Sequence, residues 1–223
     1  MKLLIIGYGK MGRLVDQLAQ SAGIDVTGRL DVDTLNGEWP AADVAIDFSI
    51  GEAVPDNFAQ LAARGTNVVI GTTGWSSHEA ALKVRAQAAG LGVVASANLS
   101  IGVNLFQLIA EEAARRMAAQ PDYEGWIHEA HHSAKRDAPS GTALLLRDAM
   151  AASGYAKAID MSSTRAGWIP GTHTVGFDSA SDTIELTHTA RDRGGFARGA
   201  LMAAQWVRGK SGWFSMMDVL RGE

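Results

Sequence analysis

The chain has 223 residues, 47% of them hydrophobic and 20% charged, enough apolar material for one large domain or two small ones. Twenty Lys and Arg against twenty-four Asp and Glu give a net charge of −4, which argues against a protein built to grip nucleic acid. The absence of cysteine excludes disulfides, Cys-ligated zinc, iron–sulfur clusters and thiol nucleophiles. No apolar run approaches the roughly 18 residues of a membrane helix, and the N-terminus lacks the h-region of a signal peptide, so the expectation is a cytoplasmic protein with no membrane partner.

In chain order, residues 2–6 read as a buried strand and 12–22 as a helix. Strands are expected at 25–30, 43–48, 67–70 and 92–95, with helices at 55–64 and 78–89 between them. Strands alternating with helices of this length predict βαβ units on a parallel sheet. After about Asn98 the texture changes. Helical patterns at 104–119 and 140–153 lie among extended stretches at 124–131, 161–168 and 182–190, and the last of these alternates as a half-buried strand does. A helix at 196–207 and a short tail close the chain. The expected fold is therefore α/β: an N-terminal parallel sheet of the Rossmann type, and a second α+β domain with an antiparallel or mixed sheet.

Gly7-Tyr8-Gly9-Lys10-Met11-Gly12 is a G-x-G-x-x-G directly after a strand and opening a helix. The first glycine allows the tight turn, the second lets backbone approach a pyrophosphate, and the third permits close helix–strand packing. Asp31 ends the second strand, where an acid would accept hydrogen bonds from an adenine-ribose. Arg29 shares its face and could reach a phosphate or neutralise the acid. Gly71-Thr72-Thr73-Gly74 and Ser96-Ala97-Asn98 follow two further strands at their carboxyl ends, the ligand edge of open α/β sheets.

The densest polar cluster runs from His128 to Thr142. His128-Glu129-Ala130-His131-His132 fits the H-E-x-x-H zinc signature, but that chemistry needs both outer histidines on one helix face and a third ligand. Glycine and aromatics before the motif favour a strand, and positions 135 and 138 are Lys and Ala. No metal is expected. The cluster reads better as an anion-binding, proton-transfer site: Lys135 carries charge, Ser140-Gly141-Thr142 opens a helix, and His131 and His132 titrate near neutral pH. On a strand those two histidines point to opposite faces. The Pro-Gly turn within Arg165 to Val175 reads as a connector, and His188 as a core or interface histidine.

Together these residues resemble the 4-hydroxy-tetrahydrodipicolinate reductase family. The likeness rests on the Gly7–Gly12 loop, Gly71 to Gly74, the Asn98-Leu99-Ser100-Ile101-Gly102-Val103-Asn104 run and the His131 to Thr142 segment. It rests also on Gly171-Thr172-His173-Thr174-Val175, Leu186-Thr187-His188 and the stretch from Arg193 to Ala200, so it spans essentially the whole chain. The resemblance implies reduction of 4-hydroxy-tetrahydrodipicolinate to tetrahydrodipicolinate with NADH or NADPH and loss of water, in lysine and diaminopimelate biosynthesis. By motif, His131 is the implied general acid/base and Lys135 the proton donor, with His132, Gly141 and Thr142 holding the carboxylates of a cyclic dicarboxylate. Gly7, Tyr8, Gly9, Lys10, Met11, Gly12, Asp31, Gly71, Thr72, Thr73, Ser96, Ala97, Asn98 and Leu99 would hold the cofactor, with NADH favoured. The family pattern implies a dinucleotide-binding domain at 1–98 to which residues 195–223 return, a substrate-binding and oligomerisation domain at 99–194, and a homotetramer. Two departures bear on the cofactor. The stretch from Asp31 to Asp43 is short for the family, and Val32 stands where many relatives carry a basic residue. The rival readings are an NAD(H)-sensing Rossmann protein without catalysis and another small Rossmann dehydrogenase.

Overall fold

The unbroken apolar runs of the first half form parallel strands buried on both faces, as such runs require. A computed structural model describes residues 1–35 and 37–222. In chain order the elements are β1 (Lys2–Ile6), α1 (Lys10–Ser21), β2 (Asp25–Leu30), β3 (Val44–Asp47), α2 (Val54–Ala62), β4 (Asn67–Ile70), α3 (Glu79–Ala89) and β5 (Gly92–Ala95). Then follow α4 (Ile101–Met117), β6 (Glu124–His131), α5 (Gly141–Ala152), β7 (Ile159–Arg165), β8 (Thr172–Asp178) and β9 (Thr183–Thr189). The chain ends with α6 (Gly194–Val207), β10 (Gly212–Phe214) and α7 (Met216–Arg221). It divides into two units, Met1–Ile101 with Arg193–Glu223, and Gly102–Asp192.

The first unit holds a six-stranded, all-parallel sheet in the order β10-β5-β4-β3-β1-β2. Successive side chains alternate between its faces. Leu3, Ile5, Val44, Ile46, Val69 and Val94 pack with Val15 and Ala19 of α1 and with Ala197, Ala200 and Ala204 of α6. Leu4, Ile6, Ala45, Val68, Ile70 and Val93 pack on the other face with Phe58 and Leu61 of α2 and Leu82 and Ala86 of α3. The order places β1 between β2 and β3, so the chain crosses over at β1, and its glycine loop lies at the switch point where such sheets bind ligands. The tail expected after the last helix contains a sixth strand, β10, paired to β5.

In the second unit the four strands run β7-β6-β8-β9, with β6–β7 parallel and the other two pairings antiparallel. The sheet is mixed. Ile127, Val175 and Phe177 pack under Phe106, Ala110 and Ala114 of α4 and Ala143, Leu146 and Met150 of α5. The opposite face carries Trp126, His128, Ser162 and a row of threonines, and the hydroxyls of Thr172 and Thr189, and of Thr174 and Thr187, pair across β8 and β9 at 3.0 Å. The Pro170-Gly171 turn joins β7 to β8 as expected, whereas β8 itself, Thr172–Asp178, was not singled out as a strand. His173, Val175 and Phe177 point inward and Thr172, Thr174 and Gly176 outward; a polar residue in the inward set hid the alternation. Gly176 is required, because a Cβ there would lie 2.1 Å from the Trp126 ring. Among the described residues no helix is long and apolar enough to cross a membrane.

Candidate active site

The glycine loop after β1 has the form a dinucleotide needs. Gly7 takes φ +84°, and a Cβ on it would lie 2.4 Å from the Phe48 carbonyl oxygen. A Cβ on Gly12 would lie 2.2 Å from the Gly7 oxygen, so the third glycine serves packing. Around Gly9 there is nothing within 4 Å of that position, which leaves the backbone approachable. Gly9 caps α1 with no side-chain hydrogen bond, and the first turn, which holds Lys10 and Met11, has no acid. Uncapped N–H groups at a helix start with no competing carboxylate suit a pyrophosphate.

The other sequence-derived cofactor residues fall at the carboxyl ends of β2, β4 and β5. Asp31 is exposed, and its Oδ1 accepts from Val32 N at 2.9 Å. Arg29 does not pair with it: its Nε and Nη2 donate to the two Asp16 oxygens at 2.7 Å, and Tyr8 Oη donates to Asp16 at 2.5 Å. That bidentate contact holds the buried Asp16 carboxyl well below its usual range. Gly71 has no room for a side chain, since a Cβ would lie 2.3 Å from the Phe48 ring. Thr72 commits its hydroxyl to Asp47, while Thr73 is exposed. Ser96 Oγ donates to the Asn98 carbonyl, Asn98 Oδ1 accepts from Ser100 N, Ala97 is exposed, and the Leu99 side chain is buried in the core. Sequence reasoning missed the turn after β3. Asp47 accepts from Ser49, Asn57 and Thr72, which fixes Phe48 and Ser49 against Gly7 and Gly71. Its position at a third strand's carboxyl end was the available signal.

In the second unit, β6 puts Glu129 and His131 on its inner face, two residues apart. The pairing places His173 of β8 and Ser163 of β7 beside Glu129, and Arg165 beside His131. Glu129 is 1% exposed. Its Oε1 accepts from Arg165 Nη2 at 2.6 Å and Ser140 N at 3.3 Å; its Oε2 accepts from Arg165 Nη1 at 3.0 Å and hydrogen-bonds to His131 Nδ1. Burial pushes this carboxyl up, but hydrogen bonds from Arg165, Ser163 and His131 outweigh it and hold it at about 2. Burial pushes His131 down, Glu129 opposes, and the charges of Lys135 and Arg165 add to the lowering. His173 stands edge-on to His131, with ring centroids 5.1 Å apart, and its Nε2 hydrogen-bonds to Ser140 Oγ at 3.0 Å. Burial first, then the nearby His131, lowers it to about 4.

Lys135 Nζ donates to both oxygens of Asp137 at 2.8 and 2.9 Å. Ser140 caps α5 by accepting from Ala143 N, and at Gly141 nothing lies within 4 Å of a would-be Cβ. This helix start also offers its N–H groups, and Thr142 stands in its first turn. His132 follows the strand and lines, with Ser133, Ala134, Gly167 and Trp168, a cavity of about 190 Å³. The structure thus groups His131, Glu129, Arg165, His173 and Ser140, four of which sequence reasoning did not select as site residues: Glu129, Arg165, His173 and Ser140, the last read only as opening a helix.

The zinc signature has no helix to stand on. At about 3.3 Å per strand residue, His128 and His132 are separated by roughly 13 Å, and His128 Nδ1 pairs with Ser162. Ligand atoms of Glu129, His131 and His173 do lie within 4.8 Å of one another. Both Glu129 oxygens already serve Arg165, however, and a cation there would stand beside a guanidinium.

Residues 1–99 match the family described as dihydrodipicolinate reductase, N-terminus, and residues 102–220 its C-terminus. A 4-hydroxy-tetrahydrodipicolinate reductase of Christiangramia forsetii is 34% identical over 241 aligned residues, covering 99% of this chain and 98% of that one. One from Rhodopseudomonas palustris strain TIE-1 is 39% identical over 267, covering 99% and 97%. The fold matches a solved structure described as dipicolinate-bound dihydrodipicolinate reductase from Paenisporosarcina sp. TG-14, with a TM-score of 0.80, 21% identity and coverage of 96% and 97%.

Proposed function

The chain belongs to the dihydrodipicolinate reductase family, and on that premise we propose how its residues carry out the NAD(P)H-dependent reduction of 4-hydroxy-tetrahydrodipicolinate to tetrahydrodipicolinate, with loss of water, in lysine and diaminopimelate biosynthesis. The observation that carries the reading is the grouping of a carboxylate-held histidine, a lysine and an open helix start within residues 129–142.

The substrate is a small cyclic dicarboxylate. Its carboxylates are held by His132 and by the N–H groups and hydroxyl of Gly141 and Thr142 at the start of α5. Nicotinamide supplies the hydride when bound. Loss of the ring hydroxyl with a hydrogen from the neighbouring carbon, as water, gives a C=C–C=N system, and hydride added to it would leave negative charge on the ring, which a proton must meet. Lys135 gives that proton, and its link to Asp137 must open for it to do so. His131 is the general acid/base, exchanging its proton through Nε2. No step calls for a metal ion. Gly7 to Gly12 hold the pyrophosphate and Asp31 the adenine-ribose hydroxyls, while Gly71 to Thr73 and Ser96 to Leu99 border the cofactor, joined by Phe48 and Ser49.

NADH is the favoured cofactor. A 2′-phosphate beside Asp31 meets like charge worth up to about 4 kcal/mol per pair of unit charges at ~4 Å and an effective dielectric near 20. The Arg29 guanidinium that could offset this is bound to Asp16. The polar face of the second sheet, with its Thr pairs and Trp126 laid over Gly176, is the surface through which four copies associate. Oxidation of NADH or NADPH on adding freshly made substrate tests the reaction. No turnover above a blank without enzyme would overturn it.

A further inference from the structure

We propose that Glu129 and Arg165 are positioning residues for proton transfer, a buried carboxylate neutralised by a guanidinium that grips His131 through Nδ1 and leaves Nε2 as its one exchangeable ring nitrogen. The inference rests on His131 being the acid/base and adds what makes it one. A neutral imidazole carries its proton on either nitrogen, and the hydrogen bond made by one nitrogen decides the state of the other. Glu129 is ionised and accepts at Nδ1, so that nitrogen carries the hydrogen and Nε2 the lone pair. The Nε2 edge is kept clear by Gly171, whose φ is +88° and whose would-be Cβ lies 3.1 Å from His131 Cδ2 and Nε2.

Arg165 has a separate task. An unpaired carboxylate beside an imidazole favours imidazolium; the guanidinium, set against both Glu129 oxygens, offsets that pull. The same side chain reaches on to donate to the Asp137 carbonyl at 2.5 Å, so it also anchors the loop that carries Lys135. The groups facing His131 are Glu129 from its own strand, Arg165 from β7, His173 from β8 and Lys135 from the following loop, itself paired with Asp137. His173 is neutral near pH 7, so the carboxylate is the one influence here that raises His131.

The two partners thus act on His131 in opposite senses, which a purely structural role would not produce. The first measurement reads the wild type: nitrogen and carbon shifts of the His131 ring in labelled, NADH-bound protein, the signals being assigned by their loss in His131→Asn. The Nδ1–H tautomer is expected; an Nε2–H tautomer overturns the inference. In kinetics, Glu129→Gln should lower kcat roughly 10–100-fold, leave cofactor affinity unchanged, and move the His131 limb of the pH profile to lower pH. Arg165→Met should move that limb to higher pH, and Arg165→Lys should bring it back toward wild type. Limbs that stay in place in folded Glu129→Gln and Arg165→Met overturn it too, and if neither variant folds, the wild-type tautomer decides. Near-normal kcat in His131→Asn would instead remove His131 from the reaction without touching the tautomer result.

Discussion

Lys135 and Asp137 form an ion pair whose acid is largely exposed, the kind that adds little to stability. Lys135→Ala should therefore melt close to wild type and bind NADH normally while losing roughly 10²–10⁴-fold in kcat. A variant with near-normal kcat would remove Lys135 from the mechanism. His173 makes the opposite kind of prediction, one about folding. It is 5% exposed, and burial lowers its folded pKa to about 4. An unfolded chain takes up a proton at this imidazole below about pH 6.5, which the folded protein declines until about pH 4, so stability is lost as pH falls through that window, by on the order of 2–3 kcal/mol. Thermal melting from pH 7 to 4 should show the loss, and His173→Gln should flatten it. An unchanged pH slope in that variant would assign the loss to other groups.

The turn between β1 and α1 separates two uses of glycine. Gly9 has ordinary backbone angles and open space, so Gly9→Ala should fold and melt like wild type yet bind NADH roughly tenfold or more weakly, about 1.4 kcal/mol. Gly12→Ala drives a methyl into the Gly7 carbonyl and should lower the melting temperature itself. Equal effects of the two on binding and melting would deny the distinction. At the end of β2, Arg29 is locked onto Asp16, and the proposed preference for NADH depends on that lock. Wild type should favour NADH by about tenfold in kcat/KM, and Asp16→Asn, which loosens Arg29, should narrow that ratio. An unchanged ratio in a folded Asp16→Asn would show that Arg29 has no reach to the phosphate.

The first unit is built from both ends of the chain. Helix α6 places Ala197, Ala200, Ala203, Ala204 and Val207 fully in the core beneath β3, β4 and β5, and β10 completes the sheet beside β5. Asn67 ties the two ends, donating to the Val207 carbonyl at 2.6 Å and accepting from Gly92 N. A chain ending at Asp192 would expose that apolar face, and circular dichroism should show it without a cooperative melt. A cooperative transition near the wild-type temperature would mean that residues 1–101 suffice. For association, light scattering should give four times the 23.5 kDa chain, and Thr187→Lys with Thr174→Lys should lower that mass. A mass of 23.5 kDa for the wild type would refute the tetramer.

What could be read in advance was what neighbouring residues decide among themselves. Hydrophobic period marked β1 to β5 and the helices between them; the context of Gly7 to Gly12 marked a tight glycine turn between strand and helix; Ser140 before an apolar helix marked a cap. The His131 to Thr142 segment was legible for the same reason, since its groups lie within a dozen residues of one another. What stayed hidden depends on pairing over long separations. Arg165 and His173 meet Glu129 only because β7 and β8 flank β6 in a register that no local signal states. Arg29 was visible near Asp31, but its commitment to Asp16 follows from how α1 lies on β2. Thr72 occupied a ligand-edge loop, yet its hydroxyl turns inward to Asp47. Periodicity and capping are short-range and leave their mark in composition, whereas register and hydrogen-bond partnership between distant strands are settled when the sheets assemble.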